Sequence, residues 1–549
     1  MTMGRYIGLI PALVLVIAST AVAPASASTS SDQNPSNFFE LTPVARDVGP
    51  SIATAPRSDH ARDPQTVVPL LQPGGGGGSG TAATTSDGAL QTSVTTALGD
   101  TVGVNVDGVG VGITQPYQDC CTPPDTNLAV GTTQVVQWVN LDFAAFDRTG
   151  GLLLGYPKAG NSIWSGFGGQ CETSNSGDPI VKFDAQAQRW FMTQFAVSSK
   201  PYLQCFAVSN TADFTTTTWN RYAYSFGSNF PDYPKAGVWA NGSSGGSYFM
   251  SFNLFKGGAS FGGAAACAFD RGAMLAGTSA TGQCFNLGRS VASLLPGDLD
   301  GANGATGTTV PPPDVTTDVF ANFGTNVLNL WRMHVDFATS ANTTITKLPS
   351  LTTAAFSTAC GGRTCIPQAN TAQQLDSLGD RLMYRLAYRN FAGDHESLVV
   401  THSVTGSGTA APRWYELRSP VGTFNYRIYQ QSSYAPDATY RWMGSAAQNK
   451  LGDLAIGYSA SSSTISPQIR YTGRAAGDTL GQLRAEATVT LPSTGSNTGP
   501  YSRWGDYSSI VTDPADDCTF WYTTEYLKQN GGSFTWSTRI VSFKFGACP

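Results

Sequence analysis

One short pattern recurs along this chain at intervals that few architectures produce. An aspartate, usually after Gly or Pro, stands before an apolar run at Asp125, Asp178, Asp232, Asp314, Asp380 and Asp506. The intervals are 53, 54, 82, 66 and 126 residues, the last being two units of 63. The unit without the aspartate begins at Tyr440-Arg441-Trp442-Met443-Gly444-Ser445, and strand, turn and strand follow from Ala446 to Tyr458. Units of this size with four short strands each are the arithmetic of a β-propeller. The spacing predicts an all-β fold of seven four-stranded blades. A pair of β-sandwiches is the alternative, and it leaves the recurrence unexplained.

The strands are clearest between 180 and 224, where Ile180 to Asp184, Arg189 to Phe195, Leu203 to Ser209 and Trp219 to Tyr224 read as a meander. Only 13% of residues are charged, while 61 are glycine and 11% aromatic. Many short strands and turns fit that balance, and a helical bundle does not. A net charge of −5 supplies no basic face for DNA or RNA. Closing a ring needs a partner for the last unit, and the runs 102–106 and 109–113 are placed to pair with 518–523 and 538–545.

The first residues read as a secretory signal. Arg5 precedes an apolar run from Ile7 to Ile17, and Ala25-Ser26-Ala27 gives a small-residue cleavage site. The expected organisation is a signal peptide over 1–27, a low-complexity Ser/Thr/Pro/Gly linker without fixed structure over 28–99, and the propeller over 100–549. No later run approaches the ~20 apolar residues of a membrane helix, so a secreted protein, extracellular or periplasmic, is expected. Ten cysteines fit that compartment as disulfides. Spacing favours Cys171 with Cys205, Cys267 with Cys284, Cys360 with Cys365 and Cys518 with Cys548. The adjacent Cys120 and Cys121 then either form a vicinal bridge or break one of these pairings. Metal ligation is the weaker reading, since there are four histidines and no C-x-x-C.

The Gly-Asp-Pro-Ile-Val-x-Phe-Asp opening at Gly177, the Pro-Pro-Asp-Thr-Asn opening at Pro123 and the Arg-Trp-Gly-Asp-Tyr-Ser-Ser run from Arg503 resemble secreted bacterial propellers of the sialidase-like (BNR-type) superfamily. The likeness is greatest to a functionally uncharacterised branch, and it spans about residues 100 to 549. It speaks to architecture, because one propeller scaffold hosts unrelated functions. The Asp-box turn of true sialidases is not met; Asn530-Gly-Gly-Ser-Phe-Thr-Trp536 comes nearest.

In a propeller the recurring aspartates would ring one mouth of the central channel. They would serve as a Ca²⁺ site, as an acid and base pair on a glycosidic bond, or as caps on their own turns. No cofactor is otherwise required. Arg381, Arg441 and Arg503 stand in matching places of three successive units, with Arg385 on the face of Arg381. The resemblance implies a three-arginine grip on a substrate carboxylate; ion pairing with the aspartates is the alternative. Asp506 and Asp380 are the expected proton carriers, and Tyr507 with Glu525 loosely resembles the sialidase nucleophile pair, the alternative being a tyrosine that packs the blade. His395, between Asp394 and Glu396, is a further base or ligand candidate, or a solvated turn. Trp138, Trp164, Trp219, Trp442 and Trp504 are candidate sugar platforms. Serine-hydrolase, zinc-protease and phosphate-loop motifs are absent from the sequence. The expected function is a hydrolase or lyase acting on an acidic glycan at the channel mouth. The alternative is a non-catalytic propeller that binds an extracellular glycan, a cell-surface polymer or a protein.

Overall fold

The computed structural model describes residues 1, 37–58, 65–67, 71, 86–114, 117–242, 245–301, 311–546 and 548. Beyond Met1, the expected signal peptide lies outside these residues. The chain is mostly β, with helix confined to single turns. Its strands are arranged as antiparallel meanders. The strand Arg189–Ala196 shows why alternation is faint in places: seven of its eight residues are buried. Sheets packed on both faces read as continuous apolar runs.

Each meander opens on one strand: Asn127–Val130, Ile180–Asp184, Asn229–Trp239, Leu295–Leu299, Met383–Phe391, Tyr440–Gln448 and Ser509–Thr512. These opening strands lie against one another in that order, and the last lies against the first. Side chains staple neighbours together. Asn127 Oδ1 accepts from Val181 N at 2.9 Å, Asp298 Oδ1 from Val238 N at 3.1 Å, and Ser445 Oγ from Ile510 N at 3.1 Å. The order closes where Thr126 Oγ1 donates to Tyr507 O at 3.0 Å. A left-handed residue precedes or enters every opening strand: Asp125, Asp178, Tyr233, Ser293, Leu378, Met443 and Asp506, with φ between 42° and 56°. Asp accepts this conformation more easily than Leu, Met or Tyr. Packing around the ring therefore imposes the turn, and the residue type follows only in some units.

Two expectations change here. Asp314 does not open a unit: Ser293 makes the turn into Leu295–Leu299, and Asp314 caps the entry to the next strand by accepting from Thr316 N at 2.8 Å. The segment 28–99 is also not a structureless linker in its described parts. Phe38–Leu41 pairs antiparallel with Gly282–Asn286, and Pro43–Gly49 with Trp219–Gly227. Leu90–Gln91 runs parallel to Arg427–Tyr434. An edge strand needs backbone pairing on one side only and tolerates proline and exposed polar residues. Composition alone cannot separate such a strand from a linker.

The partner expected for the last unit is present: Asp100–Asp107 pairs antiparallel with Ser537–Phe545. The run 109–113 is not a strand, though Val111 N still donates to Trp536 O at 3.0 Å. All four local cysteine pairings form. Cys518–Cys548 encloses a separation of 30 residues and fixes the chain end beside the last meander. Replacing both cysteines by serine is expected to cost about 2–5 kcal/mol, read as a lower denaturant midpoint with an unchanged slope.

Candidate functional site

The left-handed turns bring acidic side chains to one end of the opening strands. Asp125, Asp178, Asp232, Asp380 and Asp506 converge there with Asp376, Lys235, Arg381 and Arg503, each feeling the field of several others. Asp314 is not among them. The aspartates do not hold one repeated position: Asp125, Asp178 and Asp506 are the left-handed residues themselves, Asp232 precedes one, and Asp380 lies two beyond Leu378.

The basic residues are already engaged. Arg381 grips Asp380 through Nε at 2.8 Å and Nη2 at 3.1 Å, and its guanidinium lies 4.9 Å over the Tyr233 ring. Arg503 donates from Nε to Asp506 Oδ1 at 3.2 Å and from Nη2 to Oδ2. Arg441 lies elsewhere, bound to Glu486 by two bonds of 2.8 Å and to Asp437. The three arginines thus form no common grip, because Arg441 and Arg503 precede their left-handed turns by different distances and Arg381 follows its own. Arg385 also leaves the mouth. Further along the opening strands it donates to Asp298 and to Asp300, and Lys182 donates to the same Asp298 carboxylate.

Lys235 occupies the centre, with Nζ 3.7 Å from the Tyr233 ring and 4.0 Å from the Tyr507 ring. Burial lowers its ammonium to about 8 against the upward pull of Asp178, Asp125 and Asp232. The carboxyls respond in the opposite sense. Burial holds Asp125 well above the ordinary carboxylate range, with Asp506 and Asp178 adding to the effect. Burial also raises Asp178, opposed by Lys235 and by a hydrogen bond from Asp125. Burial therefore pushes both members of the Asp125–Asp178 carboxyl pair upward. Asp232 is likewise held well above the usual range by burial and by Asp178. Asp380 and Asp506 serve as counter-ions to Arg381 and Arg503.

The Tyr507 and Glu525 pairing is not made. Tyr507 is buried and donates to Pro179 O at 3.3 Å, while Glu525 Oε2 accepts from Gly505 N at 2.7 Å. His395 pairs with Asp394 at 2.9 Å in the turn before His395–Gly406, away from this cluster. All five candidate tryptophans are buried and pack the core. Among the described residues no group of three or more His, Cys, Asp or Glu is arranged to hold a metal ion.

Sequence inspection did not single out the pocket beside Asp232. It measures about 260 Å³ and is lined by Phe195, Val197, Tyr202, Phe230, Leu71, Ser176 and Gly258 as well as Asp232. Its aromatic residues come from three strands of two meanders, so no local pattern marks it.

The class that the fold defines is a disulfide-bonded, mostly β protein with a buried acid cluster where its opening strands meet. No family model matches the chain, the sialidase-like propellers included, and no curated protein matches it. Among solved structures it is distantly similar to a protein of unknown function from Dyadobacter fermentans, at 12% identity and a TM-score of 0.37, covering 81% of this chain and 99% of that one. An endo-arabinase from Bacteroides thetaiotaomicron matches at 14% identity and a TM-score of 0.24, over 53% of this chain and 92% of its own. A PL25 ulvan lyase, a polysaccharide lyase, matches at 11% identity and 0.26, over 79% and 84%. At these scores none of them carries an argument about this site. No helix among the described residues is long and apolar enough to cross a membrane.

Proposed function

We propose that this chain is a secreted seven-bladed β-propeller that hydrolyses a neutral glycan at the channel mouth. The closed order of opening strands, each entered through a left-handed turn, supports the propeller. The observation that carries the activity is the burial-raised Asp125–Asp178 carboxyl pair beside Asp232, which faces an aromatic pocket. Glycoside hydrolysis needs one carboxylic acid that is protonated at working pH and one carboxylate near it. Asp232 is the proton donor to the leaving oxygen. Asp178 is the carboxylate that supports the positive charge developing at the sugar carbon or activates water. Tyr202 and Phe230 provide apolar faces for a sugar ring.

A neutral sugar fits better than an acidic one, because Arg381 and Arg503 are already matched by Asp380 and Asp506. Elimination from a uronate would need a cation open to the sugar carboxylate, and Lys235, fully buried against the Tyr233 and Tyr507 rings and donating to Pro234 O at 2.9 Å, is not. Incubation with neutral and acidic polysaccharides should release new reducing ends from a neutral polymer without unsaturated uronate absorbance. Asp232→Asn should lower turnover by about 10²–10⁴-fold with ligand binding retained. Glycan binding by the wild type with no product from any polymer would replace this reading with the non-catalytic one.

A further inference from the structure

The structure brings two cysteines that no local pairing uses into immediate contact. Cys120 Sγ and Cys121 Sγ are 2.8 Å apart, and both residues are buried. The other eight cysteines are paired with one another. Neighbouring elements hold the backbone in place: Cys121–Thr122 pairs with Thr66–Val67, and Trp536 Nε1 donates to Cys121 O at 2.7 Å.

We propose that Cys120 and Cys121 close a fifth, vicinal disulfide, and that it is the redox-labile one of the five. Two S–H bonds break and one S–S bond forms. The two electrons and two protons pass to the disulfide of an oxidised thiol-exchange partner, which leaves as a dithiol. Neighbouring Cα atoms are ~3.8 Å apart, short of the ~4.4–6.8 Å that ordinary disulfides span. The eight-membered ring is therefore strained, and strained bridges are reduced first. The surroundings favour closure before folding is complete. In the folded dithiol the contact with Cys120 pulls the Cys121 thiol down, but burial and the carboxyls of Asp142, Asp119 and Asp125 outweigh it and push it up. A buried thiol so placed yields little thiolate and exchanges slowly.

The test uses the full chain, exported during expression, denatured and alkylated without reductant, then digested and weighed. The peptide holding Cys120 and Cys121 should carry no label and weigh about 2 Da less than its dithiol, for the two hydrogens lost. Label on both residues, or a crosslink from either to another cysteine, would overturn the proposal. In a parallel titration of the denatured chain with a phosphine reductant, where all five bridges are equally accessible, these two cysteines should become alkylatable before the other eight. Their appearance together with or after the others would remove the lability. Cys120→Ser should leave one labelled thiol and four intact pairings, which assigns the signal to this pair.

Discussion

A chain beginning at residue 100 is expected to unfold at markedly lower denaturant than the full chain. The segment before it supplies the edge strands Phe38–Leu41 and Pro43–Gly49 to two sheets, and its Asp87 meets Arg413 at 2.5 Å. The Arg413 side chain is fully buried and Asp87 is 4% exposed. Removing one partner of such a pair leaves an uncompensated buried charge, at a cost of about 3–5 kcal/mol. Arg413 keeps its bonds to Ser433 at 2.7 Å and Gln431 at 3.0 Å, and neither is an anion. Asp87→Ala in the full chain isolates this part of the loss, and the remainder measures the edge strands. Equal midpoints for the shortened and full chains would show that the N-terminal strands add nothing to the sheets they border.

Asp125→Asn is expected to stabilise the protein at pH 7 and, if Asp178 acts as proposed, to abolish turnover by removing the partner of its carboxyl pair. Asp125 is 1% exposed, and its Oδ1 has no hydrogen-bond partner among the described residues. Its folded carboxyl titrates above its unfolded value, so the native state holds more protons. Stability is then fully present below the unfolded value near 3.9 and declines as pH rises toward the folded one. An amide resembles the protonated acid and cannot ionise, so this decline disappears. Asn also suits the left-handed backbone at φ 52°. The gain at pH 7 is on the order of 1–3 kcal/mol, and it vanishes near pH 4. Lys235 adds the opposite slope at high pH. With the folded ammonium at about 8 and the unfolded one at ~10.4, the unfolded state binds more protons between them, and stability rises across that window. A variant both less stable and inactive at pH 7 would reduce the acid cluster to a structural one.

Turnover should also trace a bell against pH if Asp178 and Asp232 act as proposed. Activity falls at low pH when the Asp125–Asp178 pair becomes fully protonated, and at high pH when Asp232 loses its proton. A rate that stays flat across both limbs would remove the proton from the mechanism.

The sequence by itself determined what is local or repetitive. Strand-sized apolar runs, glycine-rich turns and the recurring aspartate were enough for an all-β chain of repeated units. Short spacings found the four disulfides; Cys267 and Cys284 face each other on adjacent strands and Cys360 and Cys365 close one turn, contacts that local chain geometry already favours. The last unit's partner at 100–107 was legible for the same reason, as an isolated strand-forming run with no neighbour of its own. Only the tertiary structure decided which repeated residues share a site. Arg441 turned to Glu486 and Arg385 to Asp298 and Asp300, because a shift of one or two positions around a left-handed turn redirects a side chain. Ser293 replaced Asp314 as the opening of a unit, since ring packing selects a backbone conformation and not a residue type. The edge strands before residue 50 stayed hidden because backbone pairing leaves little trace in composition. Which carboxyls are pushed upward was likewise decided in three dimensions: desolvation and the field of Lys235, Arg381 and Arg503 arise only when turns far apart in sequence are brought to one end of the fold.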